Sequence, residues 1–297
     1  MSIPSAFAPP RSAPPLLQFD PATFPALYDR EPFGFRHRLS GHPLLQLDAL
    51  RALALRMPAR QVLHRRGVVA TDSDFDHAAD LHPNGLGLSQ TLDALVASGS
   101  FVTINNPELD PAYRPLLDEL LNEIRCQTEL VDPGMAWFAS YFFISAPGAV
   151  TPFHMDRELN FLVQLRGEKL VKLWSPAVLT ELEKERLFGR WDLPRPALRP
   201  EVAASGREFL LRPGDGVHHP FIAPHLVVTG AELSISLAVT FRTARSNQRS
   251  AAWQVNHRLR ELGLRPAPVG DSPLRDRMKA GALFAARAVL KRARPTP

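Results

Sequence analysis

A chain of 297 residues with 45% hydrophobic content can bury a full core, which excludes disorder of the whole, and its single cysteine excludes an internal disulfide framework and suits a reducing compartment. The net charge of +5 is unevenly placed, because residues 275–297 carry seven Lys or Arg against Asp276 alone, so the chain before them sums to −1 and the basic character belongs to the tail. No run of 18 apolar residues exists and the Pro- and Ala-rich start lacks the basic end and apolar core of a signal peptide, so a cytoplasmic protein is expected.

Residues 1–17 contain Pro9, Pro10, Pro14 and Pro15 and are expected to be disordered. Residues 18–135 read as a helical or mixed region that packs on a core formed by the next part of the chain. Within it, Leu44–Met57 has apolar residues at helical spacing with Asp48 near the start, Leu88–Ser98 reads as helical, and Tyr113–Thr128 is introduced by Asp110-Pro111. Cys126, on that last helix, reads as a small buried apolar side chain. His37 and His42 stand outside any paired carboxylate pattern, which favours structural roles. Asp72-Ser73-Asp74-Phe75-Asp76 has the start of a calcium loop, but His77 stands at the required glycine and Pro83 at the glutamate, which leaves solvated turn carboxylates. Gly85-Leu86-Gly87 lacks the third glycine of a dinucleotide fingerprint, since Gln90 stands there.

From residue 136 the pattern changes to strands: Trp137–Ser145, Asn160–Leu165, Lys169–Trp174, Glu208–Arg212, His225–Val228 and Leu233–Arg242. The last alternates Leu233, Ile235, Leu237, Val239 and Phe241 against Ser234, Ser236, Ala238, Thr240 and Arg242, a period of two. Arg166-Gly167-Glu168 is a short hairpin loop. Residues 176–200 form an insertion, helical through Ala177–Phe188 and then Pro-rich, by default a surface excursion and in the alternative a lid. Many antiparallel strands with tight turns predict a mainly β protein with flanking helices (α+β). The core is a double-stranded β-helix, or jelly roll, over 136–245, with N-terminal helices and a C-terminal helix.

Residues 246–297 form a basic helical tail. Leu274, Met278, Ala282, Ala285 and Val289 recur at helical spacing after Arg265-Pro266-Ala267-Pro268, which predicts an amphipathic helix. It can serve packing or dimerisation, contact an acidic surface, or stand solvated. No zinc-finger spacing or RNA-binding signature accompanies it, so nucleic acid is not an expected partner.

The chemistry concentrates in His154-Met155-Asp156 and in His225, which closes the run Pro213-Gly214-Asp215-Gly216-Val217-His218-His219-Pro220-Phe221-Ile222-Ala223-Pro224-His225. Alternate residues of a strand face one side, so His154 and Asp156 can chelate a single ion. Two imidazoles and one carboxylate are the donor set of non-haem Fe(II) and leave three positions open, whereas a closed structural zinc site uses four donors. His218 and His219 are rival third ligands, but they follow the Gly-Asp-Gly turn directly and read as solvated loop histidines. Lys169 shares strand parity with Val171 and Leu173, so if that side faces an interior its ammonium needs an anion.

The segment from Ala146 to Lys169, with Thr151, His154, Asp156, Asn160 and Lys169 at their spacing, resembles the JmjC or cupin-like family of Fe(II)/2-oxoglutarate oxygenases, which includes the asparaginyl hydroxylase of hypoxia signalling. The resemblance covers roughly residues 100 to 245. It implies Fe(II) on His154, Asp156 and His225, with 2-oxoglutarate as co-substrate and O₂ as oxidant. It further implies that Thr151 and Lys169 hold the distal carboxylate of 2-oxoglutarate and that Asn160, the family's asparagine after the Asp ligand, also binds the co-substrate. The expected reaction is hydroxylation of a C–H bond of a protein, peptide or small-molecule substrate, with release of succinate and CO₂. Relatives often pair through C-terminal helices, which implies a homodimer. Two departures fall in the pocket wall: His218 and His219 replace the usual aromatic or aliphatic pair, and Ala223-Pro224 replaces the usual aromatics. Two alternatives stand beside the enzyme. One is a cupin-like metal-binding regulatory protein without turnover, contacting nucleic acid through the basic tail; the other is a zinc or manganese cupin that ignores 2-oxoglutarate and makes Lys169 dispensable.

Overall fold

A computed structural model describes residues 14–190 and 195–293. The N-terminal part runs β1 (Leu17–Gln18), α1 (Thr23–Leu27), β2 (Phe33–His37), α2 (Leu47–Arg56), β3 (Val62–Arg66), α3 (Ala78–Leu81), α4 (Leu88–Asp93), β4 (Ser100–Asn105) and α5 (Arg114–Thr128). The rest runs β5 (Met135–Ser145), β6 (Val150–Met155), β7 (Leu159–Arg166), β8 (Lys169–Leu173), α6 (Glu181–Gly189), α7 (Pro200–Ala203), β9 (Arg207–Leu211), β10 (Asp215–His219), β11 (Pro224–Thr229), β12 (Ser234–Thr243), α8 (Ala244–Glu261) and α9 (Pro273–Ala293).

The strands form an eight-stranded sheet of order β1-β2-β10-β7-β12-β5-β4-β3 and a four-stranded sheet of order β6-β11-β8-β9. From β5 to β12 the chain lays four strands in each sheet, all paired antiparallel, which is the expected jelly roll. The region before residue 136 does more than pack on it. Its strands extend the large sheet at both edges, β2 against β10 and β4 against β5. β1 to β4, β6 and β10 lay outside the six expected strands because none of them carries a long clean alternation.

Strand β12 lies between β5 and β7, and both of its faces are covered. The apolar series Ile235, Leu237, Val239 and Phe241 enters the main core, where α5 lays Leu116, Leu117, Leu120, Leu121 and Ile124. The polar and small series Ser236, Ala238 and Thr240 faces an interior cavity instead of solvent. The turn between β7 and β8 depends on Gly167, whose φ is +64° and where a Cβ would stand 2.5 Å from the Leu233 carbonyl oxygen.

Several boundaries shift for identifiable reasons. Most of the expected disordered segment lies outside the described residues, but Leu17 is already buried and paired with His37 in β2. The insertion helix starts at Glu181, not Ala177, because Thr180 and Glu183 cap its first turn reciprocally, and residues 191–194 of the insertion lie outside the described residues. α4 stops at Asp93, short of Ser98, and the chain turns through Gly99 at φ +59°. Cys126 faces outward and is exposed, a correction to its reading as a buried apolar side chain. α8 belongs to the body, since its Trp253 stacks against Phe188 and Phe221. α9 is the predicted amphipathic helix and rests on α8 through the buried Ala280 and an Arg287–Gln254 hydrogen bond. Its stripe points away, with Leu274 70%, Met278 66% and Val289 65% exposed.

Candidate metal centre

The small sheet supplies the donors. His154 on β6 and His225 on β11 are cross-strand partners, which brings their ring centroids to 4.0 Å. β6 ends at Met155, and the chain turns so that Asp156 places Oδ1 3.5 Å from His154 Nε2 and Oδ2 3.9 Å from His225 Nε2. One ligand atom from each of the three lies within 4.8 Å of the others. Each imidazole is aimed by the same device, an Nδ1–H that donates to a carbonyl two residues earlier: His154 to Pro152 at 2.8 Å and His225 to Ala223 at 3.0 Å. This leaves both Nε2 atoms facing Asp156, the arrangement in which an outer hydrogen bond orients a metal-binding imidazole.

Burial, reinforced by His154, pushes the His225 imidazole down to about 3, so it is neutral with a free lone pair. Burial alone would raise Asp156, but the contact with His154 and the nearby Arg195 outweigh it and hold the carboxyl well below its ordinary range. Neutral imidazole beside ionised carboxylate is the protonation state that a divalent ion requires.

A cavity of about 350 Å³ runs between the two sheets from these donors. At its other end Lys169, 2% exposed, donates from Nζ to Ser236 Oγ at 2.7 Å and lies 5.5 Å from the Phe143 ring and 5.9 Å from the Phe101 ring. No carboxylate pairs with it among the described residues, and burial pushes its ammonium down to about 7. Thr151 lines the same cavity from β6. Asn160 lines it from β7, and its Oδ1 is buried without a hydrogen-bond partner among the described residues. The five residues singled out from the sequence around His154, with His225, therefore share one cavity.

Two sequence readings need correction. His218 and His219 are 0% and 2% exposed, not solvated loop residues, because Asp215 opens β10, which inserts between β2 and β7. His218 points into the core, stacks on Tyr28 at 5.2 Å and bonds the Asn160 carbonyl, while His219 faces the cavity but stands outside the three-donor group. The Asp72–Asp76 carboxylates are not all free in solvent either, since Asp76 is hydrogen-bonded by Arg195. His37 and His42 hold local backbone as expected, accepting from Leu39 N–H and Leu44 N–H.

Sequence reasoning missed four contributors. The Phe75 ring stacks on His154 at 3.5 Å between centroids, and Arg195 lies above Phe75 at 5.1 Å. Ser236 holds Lys169. Arg65, buried over Phe101 at 4.4 Å, donates to the carbonyls of Arg66 and of Val150, the residue before Thr151. Of these only Ser236 had a signal, its parity on β12. Phe75, Arg195 and Arg65 reach the cavity from regions remote in sequence and without periodicity.

No protein-family model and no curated protein matches the chain. Among solved structures it is similar to E. coli ycfD, with 17% identity and a TM-score of 0.46 over 92% of this chain and 68% of that one. The ribosomal oxygenase YcfD from E. coli in complex with cobalt and 2-oxoglutarate gives 16% identity and 0.42 over 91% and 68%. The lyase DddQ from Ruegeria pomeroyi gives 20% and 0.23 over 35% and 38%.

Proposed function

We propose that the chain is an Fe(II)- and 2-oxoglutarate-dependent oxygenase that hydroxylates a C–H bond of a protein, peptide or small-molecule substrate, releasing succinate and CO₂. The observation that carries the reading is the presence, in one interior cavity, of an open three-donor centre and a buried ammonium with no carboxylate partner among the described residues.

His154, Asp156 and His225 would hold the ion as a soft–hard mixed set suited to Fe(II). When bound, Fe(II) with 2-oxoglutarate and O₂ supplies an oxidative decarboxylation that inserts one oxygen atom into a C–H bond and leaves the other in succinate. Lys169 would anchor the far carboxylate by charge, with Thr151 adding a hydroxyl, and Asn160 offers the co-substrate an amide from the cavity wall. Phe75, clamped between His154 and Arg195, keeps water from the metal side. A metal cupin indifferent to 2-oxoglutarate would leave Lys169 buried for no purpose, which speaks against that alternative and equally against a regulatory module that has lost its ligand.

The helix α9, with its apolar stripe outward, supports a homodimer formed through it, and the single, exposed Cys126 supports a cytoplasmic setting. No described helix is long and apolar enough to cross a membrane. Anaerobic Fe(II) titration and succinate release with 2-oxoglutarate test the assignment. His154→Ala that still produces succinate at the wild-type rate contradicts it.

A further inference from the structure

The two histidines of β10 face opposite sides of the large sheet, and only one is satisfied. His218 bonds the Asn160 carbonyl through Nδ1 at 3.0 Å and accepts the Asp29 N–H at Nε2. His219 is the cross-strand partner of Asn160, faces the cavity, and has no hydrogen-bond partner at either ring nitrogen among the described residues. Asn160 Oδ1 is also without one. Buried polar groups are nearly always bonded, so two adjacent orphans on one wall point to a missing ligand. An apolar side chain would suit this face, as Val217 does two residues earlier among Leu162, Val171 and Leu173.

The place of the orphans narrows the ligand. The His219 ring stands edge-on to His225 with centroids 4.6 Å apart, so the unsatisfied wall lies beside the metal donors and faces them from the other sheet. The amide of Asn160 can rotate by 180°, so the pair offers one N–H from imidazole and one from amide. A group that accepts both and sits at the metal is the oxo-carboxylate end of an oxo-acid. Resting on the oxygenase reading, we infer that His219 is a positioning residue: with Asn160 it donates to the metal-bound end of the co-substrate, while Lys169, Ser236 and Thr151 receive the far carboxylate. The two ends of a five-carbon 2-oxo-dicarboxylate are then recognised separately, and a 2-oxo-monocarboxylate such as pyruvate meets only the His219 end.

The test is anaerobic titration of the Fe(II)-loaded protein with 2-oxoglutarate and with pyruvate, read by visible charge-transfer absorption, with metal affinity measured apart by chelator competition. His219→Leu is expected to weaken 2-oxoglutarate binding about tenfold and to move the absorption band, with metal affinity unchanged and partial recovery in His219→Gln. Lys169→Met is expected to weaken 2-oxoglutarate binding without moving the pyruvate titration. Wild-type affinity and band in His219→Leu overturn the inference, as does loss of metal on the scale of His225→Ala, which would make His219 a ligand. Should His219→Leu fail to fold, His219→Met set against His219→Gln decides by the same readings. Absence of any 2-oxoglutarate band in the wild type overturns the oxygenase reading itself; a normal band indifferent to residue 219 overturns only this role.

Discussion

Arg195 holds Asp76 through two hydrogen bonds, Nε to Oδ2 at 2.8 Å and Nη2 to Oδ1 at 2.7 Å, across 119 residues of sequence. A further N–H of Arg195 reaches the Met155 carbonyl, one residue before Asp156. The loop after β3 is thereby pinned against the end of β6, with Phe75 trapped on His154.

Arg195→Ala is expected to free that loop while leaving β6 and β11 intact. The loss should be about 1 kcal/mol of local stability, since Asp76 is partly exposed. Hydrogen exchange of residues 71–79 should accelerate about fivefold, and unchanged exchange would show that Phe75 alone secures the loop.

Removing a metal donor acts on a different quantity. His225→Ala and Asp156→Ala should lower Co(II) affinity by about 100-fold or more, with little effect on secondary structure, because each deletes one of three bonds. Equilibrium competition against a chelator measures it, and an affinity within threefold of wild type would remove that residue from the donor set.

Lys169 links ligand binding to stability. Its ammonium drops from 10.5 to about 7 through burial, so between these values the unfolded chain binds more protons than the folded one, and the ligand-free protein gains stability as pH rises through that window. The gain approaches about 5 kcal/mol, at 1.36 kcal/mol per unit. Below pH 7 the amine is charged in both states and the full penalty stands. Lys169→Met should therefore raise the Tm of the ligand-free protein at pH 6 and weaken 2-oxoglutarate binding. A lowered Tm would mean that the Ser236 bond outweighs the buried charge.

The same group sets a pH profile for the co-substrate. The far carboxylate needs the protonated amine, so 2-oxoglutarate affinity should be level below pH 7 and fall about tenfold per unit above it, with uptake of one proton per ligand. Calorimetry in two buffers of different ionisation enthalpy reads the proton directly. A flat affinity from pH 6 to 9 would separate Lys169 from the carboxylate.

Deleting residues 270–297 should turn a dimer into a monomer, as measured by light scattering. A cut at 246 would be uninformative, because it also removes Trp253 from its place against Phe188 and Phe221. Unchanged mass after the shorter deletion would place any dimer contact elsewhere.

The jelly roll was legible because β5, β7 and β12 are long and bounded by turns, and the facing of β12 followed from its alternation, whereas the short β6 and β10 escaped. His154 and Asp156 were legible because two donors one residue apart suit a single ion, and Lys169 through its place in the family resemblance. His219 was misread for a local reason: Gly214 and Gly216 look like a loop, yet Gly216 sits inside β10 with Phe35 packed so closely over it that a Cβ would stand 2.4 Å from the ring. A glycine needed for close approach between strands and a glycine needed for a turn look alike in sequence. Phe75 and Arg195 were out of reach because their partnership is purely tertiary.

The division of labour between the two layers has a mechanical consequence. The three candidate donors stand on one layer alone, on β6, β11 and the turn after β6. On the proposed reading, an oxo-acid reaching Lys169 and Thr151 on one side and Asn160, His219 and Ser236 on the other would span the gap like a rung. Binding the ion would then leave the coupling between the layers unchanged, whereas binding the acid would tie them together.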